Sequence, residues 1–348
     1  MNRQFGALSG LAIVLIVINH SIYFGTYYPE GWGYPSVQGW GRTLLTLLQS
    51  LGWFAVPIFL FISGSFVSYA AQGDPSRLSR KFMLATLRHI VVPYVIWSIV
   101  FYGLVYVINH ETYTLFGYVK NILVGYPYHF VPLLIVFYLL SPLMVRISRS
   151  FGLALIALIA LYQLVLMNIL NPGMLGFSFP AWFHYLAPPI IRVTLSKWGI
   201  FFPLGLVYGL HTKRVMQWSK QFFWLSAIIT IILFILGYLD SMGVIRLPIA
   251  FYLAPVPFML LLPAIKRDSI PFVRLLERIG KRSYGLYLMS LIVVNLVLIG
   301  INLLIPAFFN LFVVFFPILF VMTLLIPIFL MEVSAKGPIK PVYRYIFG

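Results

Sequence analysis

The sequence predicts an all-α fold: a polytopic transmembrane bundle of about ten helices, N- and C-termini cytoplasmic, with residues 1–348 forming one integral-membrane domain. Three observations predict it. Of 348 residues, 61% are hydrophobic and 9% charged. Soluble domains carry about 25% charged residues, so this chain could not cover itself in water. Apolar runs recur at about 20 residues, the length a helix needs to cross ~30 Å of hydrocarbon. Basic residues alternate along the chain between rich and poor connections, as they do where charge fixes membrane orientation.

The apolar segments fall near 5–25, 45–70, 84–108, 130–147, 151–170, 192–210, 222–239, 248–265, 283–304 and 308–331. The first lacks a small-residue cleavage site and is expected to stay as a helix. The connection after it, 26–44, is rich in Gly and aromatic residues (Tyr27, Tyr28, Trp32, Tyr34, Trp40). The segment 171–191 carries Trp182, His184 and Tyr185. Both suit the membrane–water interface, where amphipathic rings settle. No fixed-period repeat and no soluble domain interrupts the series.

Net charge is +17, which raises the question of nucleic acid as partner. Its distribution excludes that reading. With the N-terminus inside, 19 of the 24 Lys and Arg fall on the cytoplasmic side, Arg77, Arg80, Lys81 and Arg88 among them. Only five fall outside: Arg42, Lys120, Arg192, Lys197 and Arg246. The charge is chiefly topological, with a share able to meet anionic headgroups or a cytosolic anion. The seven acids all fall outside the middle of the predicted spans (Asp74, inside, is one), so the intramembrane carboxylate of many proton pumps is missing. The chain has no Cys, which excludes disulfides, thiolate metal sites and Cys nucleophiles. The six histidines show no close ligand spacing, so no metal site is expected, and no Gly-rich phosphate loop is present.

One residue then stands out. His20, within Asn19-His20-Ser21, closes the apolar run Leu11–Ile18 of the first helix. Ionisable groups in lipid are costly and tend to face a bundle interior or a wet cavity. Ser9 lies three helical turns earlier, ~16 Å away on the same face.

Further along, Leu8-Ser9-Gly10-Leu11-Ala12 leads to His20, and Val56-Pro57-Ile58-Phe59-Leu60-Phe61-Ile62-Ser63-Gly64 follows. Then come Lys81 to Tyr94 with Arg88 and Pro93-Tyr94, Tyr128-His129-Phe130-Val131-Pro132-Leu133, and Tyr138-Leu139-Leu140-Ser141-Pro142. Ile279-Gly280-Lys281-Arg282-Ser283-Tyr284-Gly285-Leu286-Tyr287-Leu288 closes the series. In order and spacing these segments resemble the acyltransferase 3 family of bacterial integral-membrane O-acyltransferases over about residues 5–295. Two positions depart from the family pattern: its Arg is Ser9 here, and its frequent second His is Ser290.

The resemblance implies transfer of an acetyl or other short acyl group, with acyl-CoA as co-substrate and no bound cofactor. The acceptor would be a hydroxyl of a cell-envelope saccharide or glycolipid, and the setting the bacterial inner membrane. Acyl transfer needs a base of pKa near operating pH, which favours His, and donors aimed at a tetrahedral oxyanion. His20 is the expected base, with His129 the second candidate. Arg88 is expected at the donor phosphates, Ser63 along the site, and Tyr284 and Tyr287 at the oxyanion. Small residues such as Ser63 and Gly64 also mark close helix packing. The alternative function is a non-catalytic relative: an exporter of a saccharide or lipid intermediate, or a structural subunit.

Overall fold

A computed structural model describes residues 3–72 and 78–348, the side chain of Arg3 excepted. Asp74 and Arg77, both expected on the cytoplasmic side, lie outside the described residues. Those residues form helices joined by turns, with no strand among them.

In chain order the helices are α1 Arg3–Gly31, α2 Gly39–Leu51, α3 Ala55–Gln72, α4 Arg80–Asn109, α5 Leu115–Val124 and α6 Phe130–Leu170. Next come α7 Arg192–Trp198, α8 Phe201–Leu210, α9 Thr212–Gln221, α10 Phe223–Ser241, α11 Ile249–Leu253 and α12 Pro255–Leu261. The last are α13 Val273–Gly280, α14 Ser283–Leu304, α15 Phe312–Lys336 and α16 Tyr343–Phe347. Each of the ten apolar segments is helical, but among the described residues length and composition qualify seven runs as membrane spans, or eight with the bent α7–α8 pair. The chain is therefore a multi-pass membrane protein, and the shortfall from ten has identifiable causes.

The first cause is α6, one helical run of 41 residues interrupted by the non-helical backbone of Phe151. At 1.5 Å per residue a straight helix of that length would extend about 60 Å, twice the hydrocarbon thickness. The contacts show that it doubles back. Phe137 stacks on Phe202, and farther on the Ser148 carbonyl accepts from His211 Nε2 at 2.8 Å. Beyond Phe151 the order reverses: Gly152 packs at Val207 and His211, and Gln163 reaches Ile200. The two arms thus run antiparallel beside α8.

The second cause is the 50° bend between α7 and α8. A break in an apolar helix strands backbone polar groups that must be satisfied internally. Gln163 supplies both partners: its Oε1 accepts from the Ile200 N–H at 2.9 Å and its Nε2 donates to the Lys197 carbonyl at 3.2 Å. Short apolar helices also make up the run Ile249–Ala264, which falls below spanning length.

Contacts divide the chain into two compact units. The first holds 1–55, 91–112 and 270–348; the second holds 56–90 and 113–269. The chain passes between them inside α4, after Ile90. Each unit is organised by a helix crossing too close for side chains. In the first, α1 meets α13: a Cβ on Gly10 would overlap the Leu276 carbonyl oxygen, and one on Gly280 would overlap that of Gly6. In the second, α3 meets α8: a Cβ on Gly64 would overlap the Phe202 carbonyl oxygen, and one on Gly205 that of Phe61. Ser65 Oγ lies at this crossing, 2.9 Å from the Phe61 carbonyl and 3.1 Å from that of Gly205, its one proton shared between them. Small residues at such contacts are how membrane helices approach without a hydrophobic driving force.

These crossings set a stability expectation. Overpacking against a movable side chain costs about 1–3 kcal/mol, whereas here the obstacle is backbone. Gly205→Val is expected to remove monodisperse protein in detergent size-exclusion, while Gly300→Ala, which meets nothing within 4 Å, leaves the thermal transition in place.

Candidate active site

His20 sits on α1, half-buried, and its surroundings come from α1 and α14. Its Nδ1 lies 3.2 Å from Ser290 Oγ. Tyr287, one turn earlier on α14, tilts against the imidazole at 6.5 Å between ring centres, and Phe24 meets it edge-on at 6.3 Å. Ser290 is fully buried and its hydroxyl donates to the Tyr287 carbonyl at 3.0 Å.

With the Ser290 hydroxyl donating to Tyr287, one tautomer of His20 fits. A serine hydroxyl has one proton, and a carbonyl oxygen can only accept. With that proton given to Tyr287, Ser290 Oγ can only accept from His20, so Nδ1 carries the hydrogen and Nε2 keeps its lone pair. A neutral imidazole held in this way is a base at Nε2, its orientation set by the bond at the other nitrogen.

Tyr94, on α4 within the first unit, lies close enough to Tyr284 and Tyr287 for the three phenols to interact electrostatically. The site in this unit is therefore an imidazole with a hydroxyl at Nδ1 and the Tyr287 ring against it, Tyr94 and Tyr284 lying near Tyr287. The arrangement can accept a proton at Nε2.

Of the residues singled out from sequence, the structure brings His20 and Tyr287 together, with Tyr284 in the same unit. Ser63, Arg88 and His129 belong to the second unit. Ser63 Oγ donates to the Phe59 carbonyl of its own helix at 2.8 Å and also bonds with the Tyr138 hydroxyl. Gly64 beside it is the close-packing residue described above. Arg88 and His129 lie exposed, Arg88 in the first turns of α4 and His129 immediately before α6. Sequence reasoning named Ser290 only as a departure and Tyr94 only within a motif. Ser290 lies three residues after Tyr287, a spacing that puts both on one helix face, and that signal was readable. Tyr94 comes from a distant helix and had no comparable sign. Ser9 is buried in α1 next to the α13 crossing, and the imidazole beside Ser290 is that of His20. Among the described residues, no group of three His, Asp or Glu side chains is arranged to hold a metal ion.

The fold is that of an all-helical, multi-pass membrane protein. The family model described as an acyltransferase domain matches residues 4–332, nearly the whole chain. The protein belongs to the acyltransferase 3 family. No curated protein and no solved structure matches the chain.

Ser290, bonded to His20 Nδ1, holds the orientation of the imidazole. A neutral hydrogen bond contributes about 0.5–1.5 kcal/mol, so Ser290→Ala is expected to lower acyl transfer about tenfold in kcat with little change in KM. Ser290→Thr, which keeps the hydroxyl, should recover most of it. Equal rates for wild type and Ser290→Ala at every pH would show that the hydroxyl does not orient the base.

Proposed function

We propose that the protein is a membrane O-acyltransferase of the bacterial inner membrane. It moves an acetyl or other short acyl group from cytosolic acyl-CoA to a hydroxyl of a cell-envelope saccharide or glycolipid. The observation that carries this reading is the His20 imidazole, held by Ser290 with Nε2 available, inside a chain of the acyltransferase 3 family. In the step, Nε2 takes the proton of the acceptor hydroxyl as its oxygen attacks the thioester carbonyl carbon. The carbonyl electrons move onto oxygen, where a phenol of Tyr284 or Tyr287 donates. The C–S bond then breaks, the electron pair leaves on sulfur, and the proton on Nε2 passes to the departing thiolate.

The topology proposed with it has ten spans and both termini inside. Counted along the chain, these are α1, the α2–α3 run, α4, the two arms of α6, α7–α8, α10, Ile249–Ala264, α14 and α15. The reversal at Phe151 supports the split of α6, and the excess of basic residues on one set of connections supports the orientation. Exposed Arg88 would then sit on the cytoplasmic side, where donor phosphates arrive.

Ser9, at the place of the family's Arg, favours the second reading, a non-catalytic exporter or subunit. One experiment separates them. A donor that binds the native state raises its stability, by about 2.7 kcal/mol at a hundred times Kd. Acyl-CoA is expected to raise the melting temperature of the wild type, and His20→Ala, expressed normally, to abolish envelope O-acylation. Acylation at the wild-type rate in His20→Ala would refute the base assignment. No thermal shift with any acyl-CoA, together with saccharide transport in vesicles, would establish the exporter.

A further inference from the structure

Between α1 and α2, two cavities of the first unit abut. One, of about 320 Å³, is an apolar groove formed by Ile18 and Ile22 of α1, Leu44 and Leu48 of α2, and Phe312 and Phe316 of α15. The other, of about 340 Å³, is polar and lined by Thr26, Glu30, Arg42, Thr46 and Gln49. Ile22 and Leu45 line both. His20 does not line either; it faces α14.

Three observations narrow what fits. The lining changes in order along one path. On α1, Ile18 and Ile22 give way to Thr26 and Glu30, twelve residues or ~18 Å from apolar to acidic end. The two charges are also ordered: Arg42 adjoins the groove-lining Gly41 and Leu44 on α2, whereas Glu30 lies two turns beyond Ile22. Finally, Ser21 lines the groove with its hydroxyl buried and without a hydrogen-bond partner among the described residues. A buried hydroxyl with no partner costs free energy unless a ligand or water satisfies it.

We propose that this double cavity binds one phospholipid with a primary-amine zwitterionic headgroup. An acyl chain lies in the groove, the phosphate meets Arg42, and the terminal ammonium meets Glu30. A guanidinium matches a phosphate through its planar fork of N–H donors. A carboxylate favours a primary ammonium, which donates hydrogen bonds, over a quaternary one, which cannot, and over an uncharged glycerol headgroup. A free saccharide would leave the apolar groove empty, and an anionic lipid would set its charge against Glu30.

The test uses the full chain in nanodiscs of equal phosphatidylethanolamine, phosphatidylglycerol and phosphatidylcholine, read by native mass spectrometry after transfer to detergent. The wild type is expected to retain phosphatidylethanolamine at least fivefold over either other lipid. Glu30→Gln should lose its preference over phosphatidylglycerol, and Arg42→Gln should lower retention of both. Leu44→Trp, which fills the groove without touching the charges, should lower retention of all three. Each variant is first checked for a wild-type thermal transition in lipid-free detergent, and Leu44→Trp carries the test if a charge variant fails that check. Equal retention of the three lipids by the wild type, an unchanged preference in folded Glu30→Gln, or unchanged retention in folded Leu44→Trp would overturn the proposal. So would preferential retention of an added undecaprenyl-phosphate sugar, which would assign the cleft to a glycolipid.

Discussion

Backbone-to-backbone contact between helices is the constraint on which the rest of the structure depends. In lipid, apolar side chains gain nothing by leaving one hydrocarbon surface for another, so helices associate through close packing and internal polar bonds. Both units meet this requirement with reciprocal glycine crossings: Gly10 and Gly280 join α1 to α13, and Gly64 and Gly205 join α3 to α8. The first crossing bears directly on the chemistry. It fixes α1 against the element that leads into α14, and α1 and α14 carry His20 and Ser290. A small shift along α1 would separate an imidazole from a hydroxyl now 3.2 Å away.

Much of this was legible in the sequence, and the reason differs by element. All ten apolar segments form helices because a long run of Leu, Ile, Val and Phe has one satisfactory structure in hydrocarbon. The break in α6 was legible too, because the apolar runs 130–147 and 151–170 are parted by Ser148-Arg149-Ser150, next to the non-helical Phe151. The bend farther on was harder to read. The α7–α8 bend falls at Gly199-Ile200, and the residue that makes it tolerable, Gln163, lies 37 positions away from the amide it accepts from. Local pattern does not report a partner so distant.

The site divides along the same line. Three glycines inside the family-like segments, Gly10, Gly64 and Gly280, stand at the two crossings, so those segments mark where helices touch as well as where chemistry lies. His20 was visible because an ionisable group at the end of an apolar run needs a reason to be there. Ser290 was visible as a position but not as a partner, since 270 residues separate it from His20. Arg88 and Ser63 follow ordinary membrane-protein rules in their own surroundings: one is an exposed cation in the first turns of its helix, the other a hydroxyl bonded to its own helix backbone.

Placing Ser290 behind the base has a mechanistic consequence. In a Ser-His-Asp arrangement the carboxylate stabilises the imidazolium that forms when the base takes a proton. Among the described residues, the ring and hydrogen-bond partners of His20 are Phe24, Tyr287 and Ser290, none of which is a carboxylate. An isolated cation in apolar surroundings is expensive, so a long-lived imidazolium has little to sustain it. A serine that orients the imidazole suits the course proposed above, in which Nε2 would hand its proton to the leaving group as soon as the C–S bond opens. The same residue that supplies orientation withholds charge. In the proposed reaction, base catalysis at His20 would therefore depend on the acceptor hydroxyl, the thioester and the imidazole being aligned together before the proton moves, and the helix crossing at α1 would help to hold that alignment.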